Sequence, residues 1–161
     1  MIQKDKYSTE NCTRIYLFNH EQYLEVLNRI RKDTQKIIII QIDGYEEDDP
    51  IVNTAMEMMI LEEKEKTSQW YGTLTSSDRG LQYTFLKKRN FFDYLSCFES
   101  FFISDISNNG YEVKNTDFGI DDIAFIDSNG ELLFYTTTHE GIAAINKKYM
   151  KEKGILCPLR S

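Results

Sequence analysis

The chain is poor in the residues that usually form cross-links, metal sites or flexible linkers. Its 161 residues include two histidines, two prolines, one tryptophan and three cysteines. The cysteines, Cys12, Cys97 and Cys157, are widely spaced, odd in number and outside any CxxC arrangement. This pattern predicts free thiols and no disulfide framework. With two prolines and eight glycines, no linker or low-complexity tract is evident.

Several functional segments are also missing. No apolar run approaches the roughly 18 residues that span a bilayer, and the N-terminal residues MIQKDKYSTENC lack the apolar stretch of a secretory signal. Neither a GxGxxG nor a GxxxxGK[ST] phosphate-binding loop occurs. No HExxH motif is present, and the spacing of DFGIDD and DSNGE does not match a calcium loop. We therefore expect a cytoplasmic protein with no cofactor, no metal and no membrane partner.

What remains is the composition of a folded globular protein. Hydrophobic residues make up 41% of the chain and aromatic residues 13%, which is enough to build a substantial core. The length fits one domain. We expect a single domain over residues 1–161, with flexible ends at 1–11 and 155–161.

The pattern of apolar residues indicates a mixture of strands and helices. Alternating or continuous β-branched runs predict strands at 13–18, 36–42, 69–75, 81–87, 121–127 and 131–138. Helical spacing predicts helices at 19–32, 50–66, 90–103 and 141–153, and a strand at the end of 50–66 remains an alternative. Segments 69–75 and 81–87 are expected to pair as a hairpin, as are 121–127 and 131–138 around the turn Ser128-Asn129-Gly130. The four consecutive isoleucines of 36–42 predict a central strand that is buried on both faces. This order predicts an α+β fold, with a mostly antiparallel sheet of five or six strands and about four helices packed on it.

Two helix starts carry capping signals. Asn19 can accept a hydrogen bond from the amide three residues on, where Gln22 completes a capping box. Asp49 followed by Pro50 is typical of an N-cap and the first helical position.

Negative charge is concentrated in one part of the chain. The whole protein carries a formal charge of −7, but residues 43–65 contain nine carboxylates and one lysine. That window is therefore −8 and the rest of the chain is about +1. A local excess of this kind steers a basic partner and repels phosphate backbones. It favours a protein partner and argues against nucleic acid.

The residues of the acidic window suggest where such a partner would bind. Glu46, Glu47, Asp48 and Asp49 follow a buried strand and lead into a helix, so they are expected to form a preorganised patch. The aromatic residues Tyr45, Trp70 and Tyr71 are candidate anchors beside it. Asp121 and Asp122 belong to a second acidic group, which we assign to a solvated loop or to the rim of the same partner-binding surface.

His139 is the main candidate for chemistry. It lies in TTTHEG, next to Glu140, and a histidine paired with a carboxylate such as Glu140 or Asp122 can act as a general acid or base. The simpler interpretation is that 138–140 cap the last helix. A small hydrolase or transferase using His139 is thus one alternative function. A subunit or scaffold that self-associates through aromatic surface is another.

The stretch FGIDDIAFIDSNGELLFYTTTHEGIAAIN, residues 118–146, carries a resemblance. It is similar to the late hairpin-to-helix region of small immunity proteins that accompany contact-dependent and other polymorphic bacterial toxins. The resemblance implies a non-enzymatic cytoplasmic inhibitor that binds a cognate toxin C-terminal domain. Many such toxins are nucleases with basic active faces, which suits an acidic partner. The resemblance assigns no role to individual residues.

Overall fold

The computed structural model describes residues 6–17, 19–43, 49–107, 110–114 and 121–153. Cys157 and the predicted flexible residues 1–5 and 155–161 lie outside these ranges. Residues 6–11, also predicted to be flexible, include Tyr7, whose ring packs edge-to-face on Tyr71 with centroids 5.3 Å apart. Cys12 and Cys97 are free thiols.

The main sheet has seven strands, and every neighbouring pair is antiparallel. In sheet order they are β1 (Cys12–Ile15), β11 (Ile142–Asn146), β10 (Leu132–Thr137), β9 (Asp122–Asp127), β2 (Thr34–Ile42), β6 (Gly80–Leu86) and β3 (Ile60–Thr67). Two short ladders accompany it, β4 (Gln69–Trp70) with β5 (Thr73–Leu74), and β7 (Ile103–Ser107) with β8 (Gly110–Lys114).

The described residues form four α-helices: α1 (His20–Ile30), α2 (Pro50–Met58), α3 (Arg89–Leu95) and α4 (Lys147–Lys153). A 3-10 turn, Thr138–Glu140, joins β10 to β11. Within the described ranges, the helices are all too short and too polar to cross a bilayer. The predicted N-caps are confirmed, because Asn19 Oδ1 accepts from the amide of Gln22 at 2.9 Å and Asp49 Oδ1 accepts from that of Ile51 at 3.0 Å.

The α+β class and the antiparallel sheet are confirmed, but the sheet has seven strands where five or six were expected. Two of the predicted helices are shorter than expected. β3 occupies the second half of 50–66, where a strand was the stated alternative, and β11 occupies the first half of 141–153, where a helix alone was expected. Both strands exist because a neighbour pairs with them, β6 in one case and β1 and β10 in the other. The sequence of a single segment does not contain that information.

Two further expectations were wrong for the same reason. The hairpin between 69–75 and 81–87 does not form, because β6 lies between β2 and β3 while 69–74 fold on themselves as β4 and β5. The helix predicted at 90–103 ends at Leu95. Phe101 and Phe102 beyond it are buried in the core all the same, which explains their helix-like apolar spacing.

One face of the sheet packs against the helices, and the other, which we call the open face, packs against the β4–β5 ladder. Alternate residues of β2 point to opposite sides, so Ile37 and Ile39 pack under the helices while Ile38 and Ile40 pack against Trp70. Burying each isoleucine contributes about 1.5–3 kcal/mol relative to leaving it exposed. The four-isoleucine run was predicted to be a central strand buried on both faces, and β2 has strands on both sides.

Candidate functional site at the acidic end of the sheet

Two acidic segments that are far apart in the sequence meet at one end of the sheet. β2 ends at Ile42, which is paired with Gly80 at the start of β6. Ile40 is paired with Asp122 at the start of β9. The 3-10 turn 138–140 follows β10 at this same end, because Thr136 is paired with Ile123. The turns and strand termini here form what we call the acidic end.

The acidic end has a clear charge imbalance among its described residues. Its charged or titratable acidic, basic and histidine side chains are those of Asp43, Asp49, Lys66, Asp78, Arg79, Asp121, Asp122, His139 and Glu140. Six of these nine side chains are carboxylic acids, and two, Lys66 and Arg79, are cationic. Residues 44–48, which include Glu46, Glu47 and Asp48, connect Asp43 to Asp49 and lie outside the described residues.

Asp122 is the organising residue of the site. Its carboxyl group is buried, with 1% of the side chain exposed. Oδ2 accepts a hydrogen bond from Trp70 Nε1 at 2.8 Å, and Oδ1 accepts one from the backbone amide of Thr138, also at 2.8 Å. His139 Nδ1 lies 3.2 Å from the same Oδ1. One buried carboxyl group therefore links β9, the β4–β5 ladder and the 3-10 turn.

His139 sits between this buried group and the surface. About a third of its side chain, 30%, is exposed, and its Nε2 lies 3.9 Å from Glu140 Oε1. The hydrogen bond to Asp122 raises the pKa of His139 above its ordinary value, against the opposing effect of burial. The charges of Asp122 and Glu140 act in the same direction, and Arg79 opposes them. The Asp122–His139 pair thus fixes the ring through Nδ1 and leaves Nε2 on the side of Glu140.

Asp43 and Arg79 form a two-point ion pair on the exposed surface beside His139. Arg79 Nε donates to Asp43 Oδ1 at 2.7 Å, and a terminal guanidinium nitrogen donates to Oδ2. The hydrogen bonds from Arg79 hold the pKa of Asp43 below its ordinary value, and the charges of Arg79 and His139 add to this effect. The backbone of Asp43 is left-handed, with φ at 47°, a conformation that Asp tolerates better than most residues. The charge of Asp43 is therefore largely offset by Arg79.

The carboxyl group of Asp49 is buried and is hydrogen-bonded to two backbone amides and two side chains. Oδ1 caps α2 by accepting from the amides of Ile51 and Val52, at 3.0 and 3.1 Å. Oδ2 accepts from Gln41 Nε2 at 3.1 Å, and Gln41 in turn accepts from the hydroxyl of Tyr83 at 2.9 Å. Burial alone would raise the pKa of Asp49, but the hydrogen bonds, among them one with Asp121, hold it below the ordinary value. Asp49 is thus a negative charge built into the fold.

The structure brings together most of the described residues that the sequence singled out. Asp49, Asp121, Asp122 and Trp70 all lie at the acidic end, and all are buried. Trp70 is 1% exposed and Tyr71 8%, so the rings pack against the sheet, with little surface open to solvent. Tyr45, Glu46, Glu47 and Asp48 lie outside the described residues. The role of all nine residues in partner binding stays a prediction.

Sequence reasoning missed the exposed charges of the site. Asp43 belongs to the acidic window and Arg79 to the residues that precede β6, but neither is among the candidate partner-binding residues. The available signal was the turn residues themselves, Asp43-Gly44 after β2 and Asp78-Arg79-Gly80 before β6. Only the pairing of those two strands places the carboxylate against the guanidinium.

The second half of the acidic window lies elsewhere, on the edge strand β3. Its charged residues, which run Glu-Glu-Lys-Glu-Lys over 62–66, are exposed. Glu62 pairs with Lys36 at 3.1 Å, and the Lys64 ammonium lies 5.2 Å from the centre of the Tyr83 ring. Charged side chains on an edge strand discourage pairing with another chain. The carboxylates of the window are therefore divided among the acidic end, α2, which carries Glu57, and the edge strand β3.

The site shows no arrangement suited to a metal ion. No three His, Cys, Asp or Glu side chains of the described residues converge closely enough to hold one. The carboxyl groups of the acidic end are instead engaged by protein donors, as shown above for Asp43, Asp49 and Asp122. In comparisons with known proteins, no family matches the chain, and no curated protein or solved structure is significantly similar to it.

Proposed function

We propose that this protein is a non-enzymatic, cytoplasmic immunity protein that binds and neutralises a cognate bacterial toxin domain. The acidic end of the sheet is the surface that contacts the toxin, and the toxin presents a basic face, as a nuclease does. The observation that supports this most directly is the meeting of two acidic segments at one end of the sheet, with six carboxylic acids and two cationic side chains among nine described residues. Asp43, Asp78 and Glu140 are the exposed carboxylates among them, and Asp49, Asp121 and Asp122 are buried beneath.

The rigidity of the acidic end supports a binding role. Asp49 is fixed by the amides of α2, and Asp43 by Arg79, so both ends of the connecting residues 44–48 are anchored. Carboxylates that are held in place before binding lose less conformational entropy when a partner arrives. Three more carboxylates, Glu46, Glu47 and Asp48, are added by the connecting residues. The combined field would speed the encounter with a cationic protein by about 10- to 1000-fold at low salt.

The test begins with the gene immediately upstream. If it encodes a large secreted protein with a variable C-terminal domain, that domain is the probe, and its absence counts against the immunity function. Co-expression with this protein should restore growth of cells that produce the toxin domain. The purified pair should associate with a rate constant that falls steeply as salt rises. A quadruple variant, Glu46→Gln, Glu47→Gln, Asp48→Asn and Glu140→Gln, should slow association about tenfold or more at low salt and flatten the salt dependence.

The matched control removes four carboxylates from the opposite end of the sheet. Glu10→Gln, Asp93→Asn, Glu131→Gln and Glu152→Gln change the net charge by the same amount at exposed positions. Equal slowing by both quadruple variants would show that net charge, and not the acidic end, drives association. Failure of the protein to bind the toxin domain or to restore growth would overturn the immunity function itself.

One distance favours a second function, a hydrolase or transferase. Asp122 lies 3.2 Å from His139 Nδ1, the arrangement in which a carboxylate orients a histidine whose other nitrogen takes a proton from water or a hydroxyl group. Hydrolysis of p-nitrophenyl acetate and bis-p-nitrophenyl phosphate by the protein and by a His139→Gln variant is the test. Activity that His139→Gln retains, or no activity in the unaltered protein, would dismiss this candidate.

A further inference from the structure

A separate cavity of about 330 Å³ lies at the end of the sheet opposite the acidic end. Lys6, Asn11 and Cys12 line it from the N-terminal segment and the start of β1, and Glu131 and Leu132 line it from the turn between β9 and β10. Tyr71 closes it from the open face of the sheet. This volume is at the lower end of the range for small-molecule sites, which is roughly 300–1,000 Å³.

The polar groups of this cavity fall into two sets. Asn146 is engaged by the fold at both ends of its amide, since its Nδ2 donates to the Leu132 carbonyl at 3.1 Å and its Oδ1 accepts from the Tyr149 amide at 3.0 Å. In contrast, among the described residues neither Lys6 nor Glu131 has an ion-pair partner, and the Tyr71 hydroxyl has no hydrogen-bond partner. Three polar side chains of different character therefore line the cavity with bonding capacity to spare.

The two walls that carry Tyr71 and Glu131 are held in place. Tyr71 packs edge-to-face on Tyr7 and lies 6.4 Å from Tyr135, centre to centre. The turn that carries Glu131 is closed by Asp127 Oδ1, which accepts from the amides of Asn129 and Glu131 at 2.8 and 2.9 Å. A cavity with fixed walls does not need to be ordered by its ligand, which lowers the entropic cost of binding.

The thiol of Cys12, which lines the cavity, lacks the lowered pKa of a reactive cysteine. Burial raises the pKa of Cys12 to about 11, and the charge of Lys147 only partly opposes this. A thiol with so high a pKa is protonated at neutral pH and is a poor nucleophile. The cavity is therefore suited to reversible binding.

We propose that this cavity binds a free α-amino acid with an apolar side chain. The lining places a cation, Lys6, and an anion, Glu131, on different walls, which matches the two charges of a zwitterion. The ligand carboxylate pairs with the Lys6 ammonium, and the ligand ammonium pairs with the Glu131 carboxylate. The side chain packs against Leu132 and the Tyr71 ring. This site lies at the opposite end of the sheet from the acidic end, and Tyr71 is the residue that it shares with those predicted to bind a partner.

Ligand-observed NMR and isothermal titration with free L-leucine and L-phenylalanine test the proposal on the unaltered protein. Two probes that each lack one charge, N-acetyl-L-leucine and L-leucinamide, are the matched comparisons. We expect a dissociation constant of about 1 mM or lower for at least one free amino acid. Binding of each one-charge probe should be about tenfold weaker or worse, since each leaves one charged side chain of the cavity without its partner.

Variants locate the binding site. Lys6→Gln and Glu131→Gln should each weaken binding of the free amino acid about tenfold, while Lys66→Gln and Glu65→Gln on the distant edge strand should leave it unchanged. The proposal is overturned if neither amino acid binds at millimolar concentration. It is also overturned if the one-charge probes bind as tightly as the amino acid, or if the edge-strand variants weaken binding as much as the cavity variants do.

Discussion

Trp70 and Asp122 are 52 positions apart in the sequence, yet the indole Nε1 donates a hydrogen bond to the buried Oδ2 at 2.8 Å. This bond attaches the short β4–β5 ladder to the open face of the sheet, where the indole also packs against Ile40 and Gly80. Trp70 is the sole tryptophan of the chain. Its fluorescence therefore reports directly on the state of this contact.

Asp122→Asn should destabilise the protein by about 2–3 kcal/mol. Both carboxyl oxygens accept hydrogen bonds from buried donors, Trp70 Nε1 on one side and the Thr138 amide on the other. An asparagine must turn its NH2 group toward one of these donors, which loses its acceptor. Urea unfolding followed by tryptophan emission measures the change. The exposed substitution Glu152→Gln is the control and should change the free energy of unfolding by less than about 0.5 kcal/mol. An Asp122→Asn variant as stable as the original protein would contradict the structural role of Asp122.

Gly80→Ala should strain the contact between the sheet and Trp70. An added Cβ at position 80 would lie 2.6 Å from Cζ3 of the indole and 3.1 Å from Cγ2 of Ile40. Overpacking of this kind costs about 1–3 kcal/mol, and the indole must shift. We expect a lower unfolding midpoint together with a changed emission maximum.

Gly130→Ala is the control for Gly80→Ala. Gly130 has φ at +80°, so alanine is strained there by about 1–2 kcal/mol, but no atom lies within 4 Å of the added Cβ. The stability loss should be similar while the tryptophan spectrum is unchanged. An identical spectral change in both variants would show that the emission does not report on the Gly80–Trp70 contact.

The hydrogen bond between His139 and Asp122 should make stability depend on pH. Asp122 raises the pKa of His139 in the folded protein above the ordinary value of about 6.5. The protonated ring is then favoured by folding, so its stabilising effect is complete below that ordinary value and is lost as the pH rises through the raised one. The difference in unfolding free energy between the protein and His139→Gln should be largest at about pH 5.5 and should shrink toward alkaline pH. A difference that grows as the pH rises would reverse this assignment.

Asp49→Ala should cost about 2–3 kcal/mol, because it removes the cap of α2 and leaves the buried Gln41 amide without its acceptor. Asp49→Asn should cost less, since asparagine caps helices as well as aspartate.

The pKa of Asp49 is held below its ordinary value. Its charge therefore stabilises the fold above about pH 4, and this contribution is lost as the pH falls through the lowered value. Urea midpoints of the three proteins at pH 7 and at about pH 3.5 test both statements. Equal losses in Asp49→Ala and Asp49→Asn at pH 7 would rule out the capping role.

Predictions that depend on residues close together in the sequence were correct, whereas those that depend on pairing between distant strands were missed. The N-caps at Asn19 and Asp49 were predicted because a cap joins atoms two or three residues apart. The β9–β10 hairpin was predicted because Asn129-Gly130 marks a local turn. β11 was missed because Ala143 and Ala144 favour a helix on their own, and pairing with β1 and β10 overrides that preference.

The same difference between local and long-range signals holds for the candidate site. The sequence identified acidic residues near 46–49 and at 121–122 but had no means of joining them, since Asp49 and Asp121 are 72 positions apart. It also suggested Trp70 as an anchor for a partner but could not place the ring, which the structure shows buried against Gly80. A buried hydrogen bond such as Trp70–Asp122 depends on the register of separate strands and leaves no periodic trace in the sequence.

The sequence by itself determined the α+β class, the charge imbalance, the doubly buried β2 and the N-terminal caps of α1 and α2, since composition, periodicity and capping are properties of neighbouring residues. Only the tertiary structure decided that the main sheet has seven strands and that the acidic segments share one end of it. It also decided that Asp122 lies beneath both Trp70 and His139. These features arise from hydrogen bonds between strands far apart in the chain, whose partners and register are chosen by the packing of the whole core.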